Sequence, residues 1–309
     1  MITVDDQSMT TPSVFIVVLN FNDYEDTCRC VRSLEKLTYQ RFEIVIVDNA
    51  STDSSGRQLA KTFPHLKVIN TEYNGGYAYG NNVGIRFAME RRADFIFILN
   101  NDTIVSKNTL NILLAPFHRN PTIGMTTCKI VYERTNKQYA SAGTINRILC
   151  AILPLSEKEW NIEGSVSYIA GCAAMIRRSV FEKVGLLNEQ YFMYFEDVEY
   201  SLRVAKHFTL VYTPNSTIYH KSGGGDQWHN YTPFYFYYSS RNRIITFAHS
   251  PLQKLHVTVV NGINVLMKIM VLLYFKLAGE TPSVKDHICA LSRGLRDGIM
   301  SRTGRNNLY

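Results

Sequence analysis

Between residues 14 and 102, short apolar runs alternate with stretches whose apolar positions recur at helical spacing. Residues 14–19 form the first run, which ends in Asn20, Phe21 and Asn22. Residues 42–47 form the second, ending at Asp48, and residues 66–69 the third. Residues 95–99 form a fourth, ending in Asn100, Asn101 and Asp102. Residues 26–37 place Cys30, Val31, Leu34 and Leu37 on one helical face, and residues 77–90 predict another helix. Between those two, the capping residues Ser51 to Ser54 precede Leu59, Ala60 and Phe63. Continuous apolar strands separated by helices predict a parallel sheet covered on both faces. Ligands bind such sheets beyond the carboxyl ends of the strands, where this chain carries Asn20/Asn22, Asp48/Asn49 and Asn100/Asp102. One polar strand end is ordinary; three on one edge predict a site.

After Asp102 the pattern loosens. A strand is expected over 123–131, an irregular, acceptor-facing insertion over 133–165, and a strand over 168–176 interrupted by Gly171. Short helices are expected over 178–184 and 196–206, a strand over 208–212 and a glycine-rich loop over 222–226. With 309 residues, 46% hydrophobic and 19% charged, the chain suits one large core with an appendage, or two modest domains. Residues 1–12 are polar, lack the basic start and apolar core of a signal peptide, and read as a flexible tail. The six cysteines lack the spacing of a zinc knuckle and read as reduced thiols of a cytoplasmic protein. A net charge of +7, its excess largely after Asp226, calls for an anionic partner such as a nucleotide diphosphate, anionic lipid or nucleic acid.

Several of these segments, taken in order, resemble the family 2 inverting glycosyltransferases of GT-A fold, and among them bacterial rhamnosyltransferase-like members. The resemblance rests first on Val17-Val18-Leu19-Asn20-Phe21-Asn22 and Val47-Asp48-Asn49-Ala50-Ser51-Thr52-Asp53. It continues in Asn74-Gly75-Gly76-Tyr77-Ala78-Tyr79-Gly80-Asn81-Asn82-Val83-Gly84 and Leu99-Asn100-Asn101-Asp102. Phe192-Met193-Tyr194-Phe195-Glu196-Asp197 and His220 extend it, so that it spans residues 13–245. It implies an α/β fold: a GT-A (Rossmann-like), mostly parallel sheet flanked by helices, with a helical C-terminal extension. The implied catalytic domain covers 13–225, divided into a nucleotide-binding half (13–105) and an acceptor half (106–225). A basic, amphipathic helical region over 226–309 follows.

The implied reaction moves a sugar from a UDP or dTDP donor, dTDP-rhamnose foremost, onto an acceptor hydroxyl with inversion. Asp48 stands where the family recognises the base: its carboxylate accepts the imide N–H of uracil or thymine, or else caps the next helix. Asn20, Asn22, Asn74, Gly76 and Asn82 fall in segments implied to bind the nucleotide sugar, where glycines permit close approach and amides bind base or ribose. Asn100, Asn101 and Asp102 occupy the place of the family's Asp-x-Asp motif. With asparagine first, Asp102 is the principal metal carboxylate, and Asn100 offers an amide oxygen or binds ribose. Mg²⁺ or Mn²⁺ is the implied cofactor, and His220 resembles the histidine that completes the metal site. Lys221 and glycines 223–225 are placed to touch the diphosphate. Asp197 matches the base that takes the acceptor proton, with Glu196 orienting it or binding acceptor; both acids also suit a helix N-terminus. Arg241, in Arg241-Asn242-Arg243, either approaches the diphosphate or lies on the basic face of a helix.

Residues 252–278 are apolar but interrupted by Lys254 and Lys268, so the run between them falls short of the ~20 residues of a spanning helix. Lys254, Thr258, Asn261, Asn264, Lys268 and Lys276 share one helical arc and leave a broad apolar face. The expectation is peripheral contact with an anionic membrane at the inner face of the cell membrane, lysines against headgroups. Docking of this helix onto the domain is the alternative. The expected acceptor is a glycan or lipid-linked glycan of a bacterial surface polysaccharide, and nucleic acid is not expected as a partner. A nucleotidyltransferase would want a basic glycine-rich loop where Asn20-Phe21-Asn22-Asp23 stands. A non-catalytic binding module leaves Asp48, Asp102, Asp197 and His220 without a purpose.

Overall fold

Buried runs rich in valine, isoleucine and phenylalanine form β1 (Val14–Asn20), β2 (Phe42–Asp48) and β4 (Phe95–Asn100), with the shorter β3 (Lys67–Asn70) between them in the chain. Such side chains fit a pleat covered on both faces. The crossovers are α1 (Tyr24–Leu34), α2 (Ser55–Thr62) and α3 (Gly76–Glu90). This computed structural model describes residues 11–221, 232–277 and 284–308. The tail expected over 1–12 therefore lies almost wholly outside the described residues, and the glycine-rich loop over 222–226 entirely so.

The chain continues with β5 (Thr103–Val105), α4 (Thr109–Arg119), β6 (Ile123–Tyr132), β7 (Ala142–Asn146) and β8 (Ala151–Pro154). Then come β9 (Gly164–Val166), β10 (Tyr168–Ile169), β11 (Ala173–Arg177), α5 (Arg178–Val184), α6 (Glu196–Val204) and β12 (Thr209–His220). The main sheet has the order β3-β2-β1-β4-β11-β6-β12-β5, with β9 added on β12. β3, β2, β1 and β4 are mutually parallel. β1 thus has its sequence successor β2 on one side and β4 on the other, the kind of switch point at which ligand crevices open.

Two expectations need correction here. Residues 133–165 are not wholly irregular: β7 pairs with both β8 and β10 in a small antiparallel sheet, and β9 joins the main one. Gly171 does not interrupt one strand but separates β10 and β11, which belong to different sheets. β12 also runs on past 212 to His220, and there it pairs antiparallel with β5, setting His220 opposite Thr103.

Three further helices, α7 (Pro233–Phe247), α8 (Pro251–Leu277) and α9 (Val284–Ile299), pack around Phe236, Tyr237, Tyr238, Val265, Leu272 and Leu291. Phe192 joins this core, tying the helices to the segment that precedes α6. α8 reverses the expected orientation. Asn261 is buried and donates to the Ser240 carbonyl at 2.8 Å, and Lys268 lies over the rings of Tyr235 and Phe236. Asn261 and Lys268 therefore pack inward, while Lys276 of the same arc is exposed, as are Leu252, Leu255, Leu266, Met270 and Leu277. Lys268 is thus turned away from the headgroup position expected of it: the aromatic faces of α7 are its partners, as the Ser240 carbonyl is for Asn261.

Candidate active site

The switch point is built from a hydrogen-bonded knot. Asn20 is fully buried and donates to Asp48 Oδ1 at 2.6 Å and to Ser55 Oγ at 2.9 Å, while its own oxygen accepts from Thr27. Asp48 also accepts from the amide and hydroxyl of Ser51, so it closes the turn leading into α2. Gly56 leaves room for this carboxylate, since a β-carbon there would collide with it. Asn22, at φ 52°, accepts from the amides of Thr52 and Asp53 and braces the same turn. These groups shape the sheet edge; none of Asn20, Asn22 and Asp48 lines the cleft above it.

That cleft has a volume of about 510 Å³, within the range of small-ligand sites. Asn49, Asn74, Tyr77, Asn100, Asn101 and Asp102 line it, with Asp26, Arg134 and Lys221 among the charged groups. Asn49 donates to Asn74 Oδ1 at 3.0 Å and to the Gly76 carbonyl at 3.1 Å. Gly76, at φ 89°, has no room for a side chain because the Phe192 backbone lies against it, and Tyr77 N donates to the Phe192 carbonyl at 2.7 Å. Asn82 is buried on the other face of α3, bonded to Leu187 and Glu189. Gly84 permits close packing on Val17 of β1. The glycine and amide pattern of α3 is thus used largely to seat the helix, and only its first residues reach the cleft.

Asp102 and His220 come together because β5 pairs with β12: Asp102 Oδ1 and His220 Nε2 are 3.0 Å apart. The His220 ring is buried against Tyr139, edge to face at 4.8 Å. Asn100 Oδ1 is buried beside them without a hydrogen-bond partner. Cis ligands of an octahedral ion at ~2.1 Å stand about 3 Å apart, so the Asp102–His220 spacing suits two ligands of one ion. Among the described residues no group of three His, Cys, Asp or Glu side chains converges. The protein therefore offers a short ligand set that donor phosphates and water would complete, a usual arrangement for Mg²⁺. Lys221, whose amide bonds the Asp102 carbonyl, rests its ammonium on Asp26 at 2.6 Å.

Glu196 and Asp197 open α6. Asp197 Oδ2 accepts from the Tyr168 hydroxyl at 2.7 Å and from Gly171 N at 3.1 Å, and Oδ1 from Val198 N at 2.8 Å. Burial raises the Asp197 carboxyl above the usual aspartate range, and these three bonds counter the shift. Glu196 is more deeply buried with Oε2 unpartnered, and desolvation, then the Asp197 charge, pushes it well above the usual glutamate range. Both acids face a small, mostly apolar pocket rather than the main cleft. Tyr77 lines both spaces and donates to the Gly171 carbonyl at 2.7 Å, so its ring forms part of the shared wall.

Arg241 does not reach the cleft. It is buried, donates to the carbonyls of Gly304 and Tyr191, and lies over Tyr238. The expected diphosphate contact is replaced by a structural one, because the backbone turn before α6 supplies carbonyls that need donors. Asn242, which the sequence reading did not single out, donates to the carbonyls of Tyr191, Met193 and Tyr194. Phe192, Tyr194 and Phe195 in that turn all have positive φ. Tyr168 also escaped notice. It lies 29 residues from Asp197, and no local pattern marks the contact.

A mostly parallel sheet with its switch-point cleft, a paired aspartate and histidine, and a carboxylate pair at a helix start together make an α/β fold of the kind expected above. The family model described as glycosyl transferase family 2 matches residues 13–185, and the chain belongs to that family. The low-salt glycan biosynthesis hexosyltransferase Agl10 of Haloferax volcanii is 29% identical over 197 residues, which are 62% of this chain and 61% of that protein. The dTDP-rhamnosyl transferase RfbF of Shigella flexneri is 22% identical over 294 residues, 92% of this chain and 96% of that one. The mannosyltransferase PcManGT from Pyrobaculum calidifontis, solved with GDP-Man and Mn²⁺, has a TM-score of 0.59 at 16% identity. That likeness covers 95% of this chain and 89% of the other and bears out the GT-A fold.

Proposed function

We propose that the chain transfers a sugar, rhamnose from dTDP-rhamnose foremost, onto a glycan acceptor hydroxyl with inversion and with the help of Mg²⁺ or Mn²⁺. The observation that carries this reading is the meeting of Asp102 and His220, 3.0 Å apart, on the switch-point cleft. In this reading the nucleoside lies toward Asn49 and Asn74, and the diphosphate lies over Asp102 and His220. A bound divalent ion would offset the charge that builds on the departing diphosphate. Lys221 adds a cation at the same mouth when it leaves Asp26.

Asp197 takes the proton of the acceptor hydroxyl as that oxygen attacks the anomeric carbon opposite the leaving diphosphate. One displacement with no enzyme nucleophile inverts the anomeric centre. Tyr168, Gly171 and Val198 hold the carboxylate in place, so that orientation is set before the acceptor arrives. Similarity to RfbF supports the rhamnose donor. The outward apolar face of α8 supports contact with a membrane that carries a lipid-linked acceptor, by insertion rather than by lysine–headgroup pairing. The test is transfer from a panel of nucleotide sugars, with and without chelator, with the product anomer read by NMR. Turnover insensitive to chelator, or a product retaining the donor configuration, would overturn the metal or the mechanism respectively.

A further inference from the structure

Away from the cleft, two cations share a desolvated site with no carboxylate between them. Arg243 of α7 donates to the Cys150 carbonyl at 3.1 Å and lies 5.7 Å from the centre of the Phe195 ring. Lys268 of α8 sits 5.7 Å from the Tyr235 ring centre and 5.3 Å from that of Phe236. Among the described residues no acidic side chain pairs with either. Burial pulls the Lys268 ammonium down to about 8, and the Arg243 charge adds to the effect. Burial also lowers Arg243. Two like charges held this way oppose folding, and aromatic faces recover only part of the cost. Both side chains nonetheless keep some surface open to solvent.

The surroundings say what anion would suit them. Phe195 immediately precedes the Glu196–Asp197 pair, so Arg243 lies beside the start of the helix that carries the base. Cys150, which Arg243 contacts, closes a hairpin tip whose Ile148 and Leu149 are 74% and 51% exposed. His256 of α8 bonds the Ile148 carbonyl at 2.8 Å, making the tip continuous with the outward apolar face of that helix. On α8 itself Leu266, Met267 and Met270, close in sequence to Lys268, are exposed. An apolar surface thus borders a cationic site that has no carboxylate partner among the described residues.

We propose that Arg243 and Lys268 receive the phosphate or diphosphate of a lipid-linked acceptor, whose hydrocarbon chain lies along α8 and the 148–149 tip. The assignment rests on the transferase reading above, and it names the acceptor class. Phosphate oxygens would give the two cations the charge-assisted partners they lack.

The test reads binding without any donor sugar, so its outcome is separate from that of the transfer assay. Full-length protein is sedimented with phosphatidylcholine vesicles that are plain, doped with a polyprenyl diphosphate, or doped with phosphatidylglycerol. The wild type should bind the polyprenyl diphosphate vesicles in clear preference to both others. Lys268→Met and Arg243→Gln should each weaken that binding roughly tenfold or more, the worth of a hydrogen bond to a charged group. Both should leave dTDP affinity unchanged, and Lys268→Met should melt no lower than the wild type because it removes an uncompensated buried charge. Equal binding to phosphatidylglycerol vesicles would overturn the acceptor assignment in favour of bulk headgroups. Undiminished binding by both variants, or a lower melting temperature for Lys268→Met, would make the cations packing elements and overturn the site. If the preference holds while no nucleotide sugar supports transfer, the site stands and the transferase reading falls.

Discussion

The Tyr168 hydroxyl, from β10, and the Gly171 amide, from the break between β10 and β11, share one oxygen of Asp197, Oδ2. Both bonds favour the charged carboxylate against the burial that raises it. Tyr168→Phe removes one of them, so the Asp197 carboxyl moves further up. Transfer needs the ionised base, and its acid limb should therefore shift to higher pH, with dTDP affinity unchanged. A pH–rate profile that does not move would show that Tyr168 does not act on the base.

Asp197→Asn keeps the shape of the side chain and removes its capacity to take a proton. Transfer should fall by ~10²–10⁴-fold, the usual worth of a general base, while donor affinity by calorimetry is retained. Near-normal turnover in this variant would move the base elsewhere, with Glu196 the next candidate.

Glu196 makes a prediction about stability rather than rate. Its folded-state carboxyl titrates well above the ordinary value of 4.5, chiefly through burial. Such a group gives its full stabilisation below the unfolded value and loses it as pH rises toward the folded one. Glu196→Gln should therefore melt higher than the wild type at neutral pH, with a gap that narrows on acidification. Parallel melting curves across pH would count against a neutral Glu196.

Asp102→Ala removes the single carboxylate of its motif, and metal-dependent dTDP binding should be lost. His220→Ala should weaken it less, since an imidazole contributes no formal charge when neutral. Calorimetry with dTDP and Mn²⁺ checks both, and unchanged affinity in the Asp102 variant would refute its place in a metal site.

Asn242→Ala strips donors from the carbonyls of Tyr191, Met193 and Tyr194. Unpaired buried groups cost roughly 1–3 kcal/mol each when water cannot replace the donor, so the melting temperature should drop clearly. Turnover should fall more than dTDP affinity, because the strained turn leads into the base helix. Equal losses in both, or none, would deny the turn its specific role.

What was legible in the chain followed from local pattern. Apolar runs located β1, β2 and β4, and their polar ends marked the edge where the cleft opens. Pairings between distant segments were not legible. The antiparallel contact of β5 with β12 that joins Asp102 to His220 has no signature in either stretch, although the resemblance brought the two residues under one role. Arg241 was open to a diphosphate contact or a place on a basic helix face; a guanidinium suits carbonyls and phosphates alike, and only the fold shows it spent on carbonyls. In α8 the helical spacing established which residues share a face. It could not tell which face looks inward, because a buried asparagine and a lysine over aromatic rings reverse the usual rule.

The turn from Phe192 to Phe195 gives the C-terminal helices a standing that their position in the chain conceals. Three left-handed residues there are held by Arg241 and Asn242 of α7, and the Gly304 amide adds a bond to the Gln190 carbonyl. A chain cut after β12 would keep every strand end of the cleft and both acids of α6. It would have lost the scaffold that fixes where those acids point. On the proposed reading, donor recognition and proton transfer would then be lodged in different stretches of one polypeptide, and a deletion of the C-terminal helices should silence the second while sparing the first.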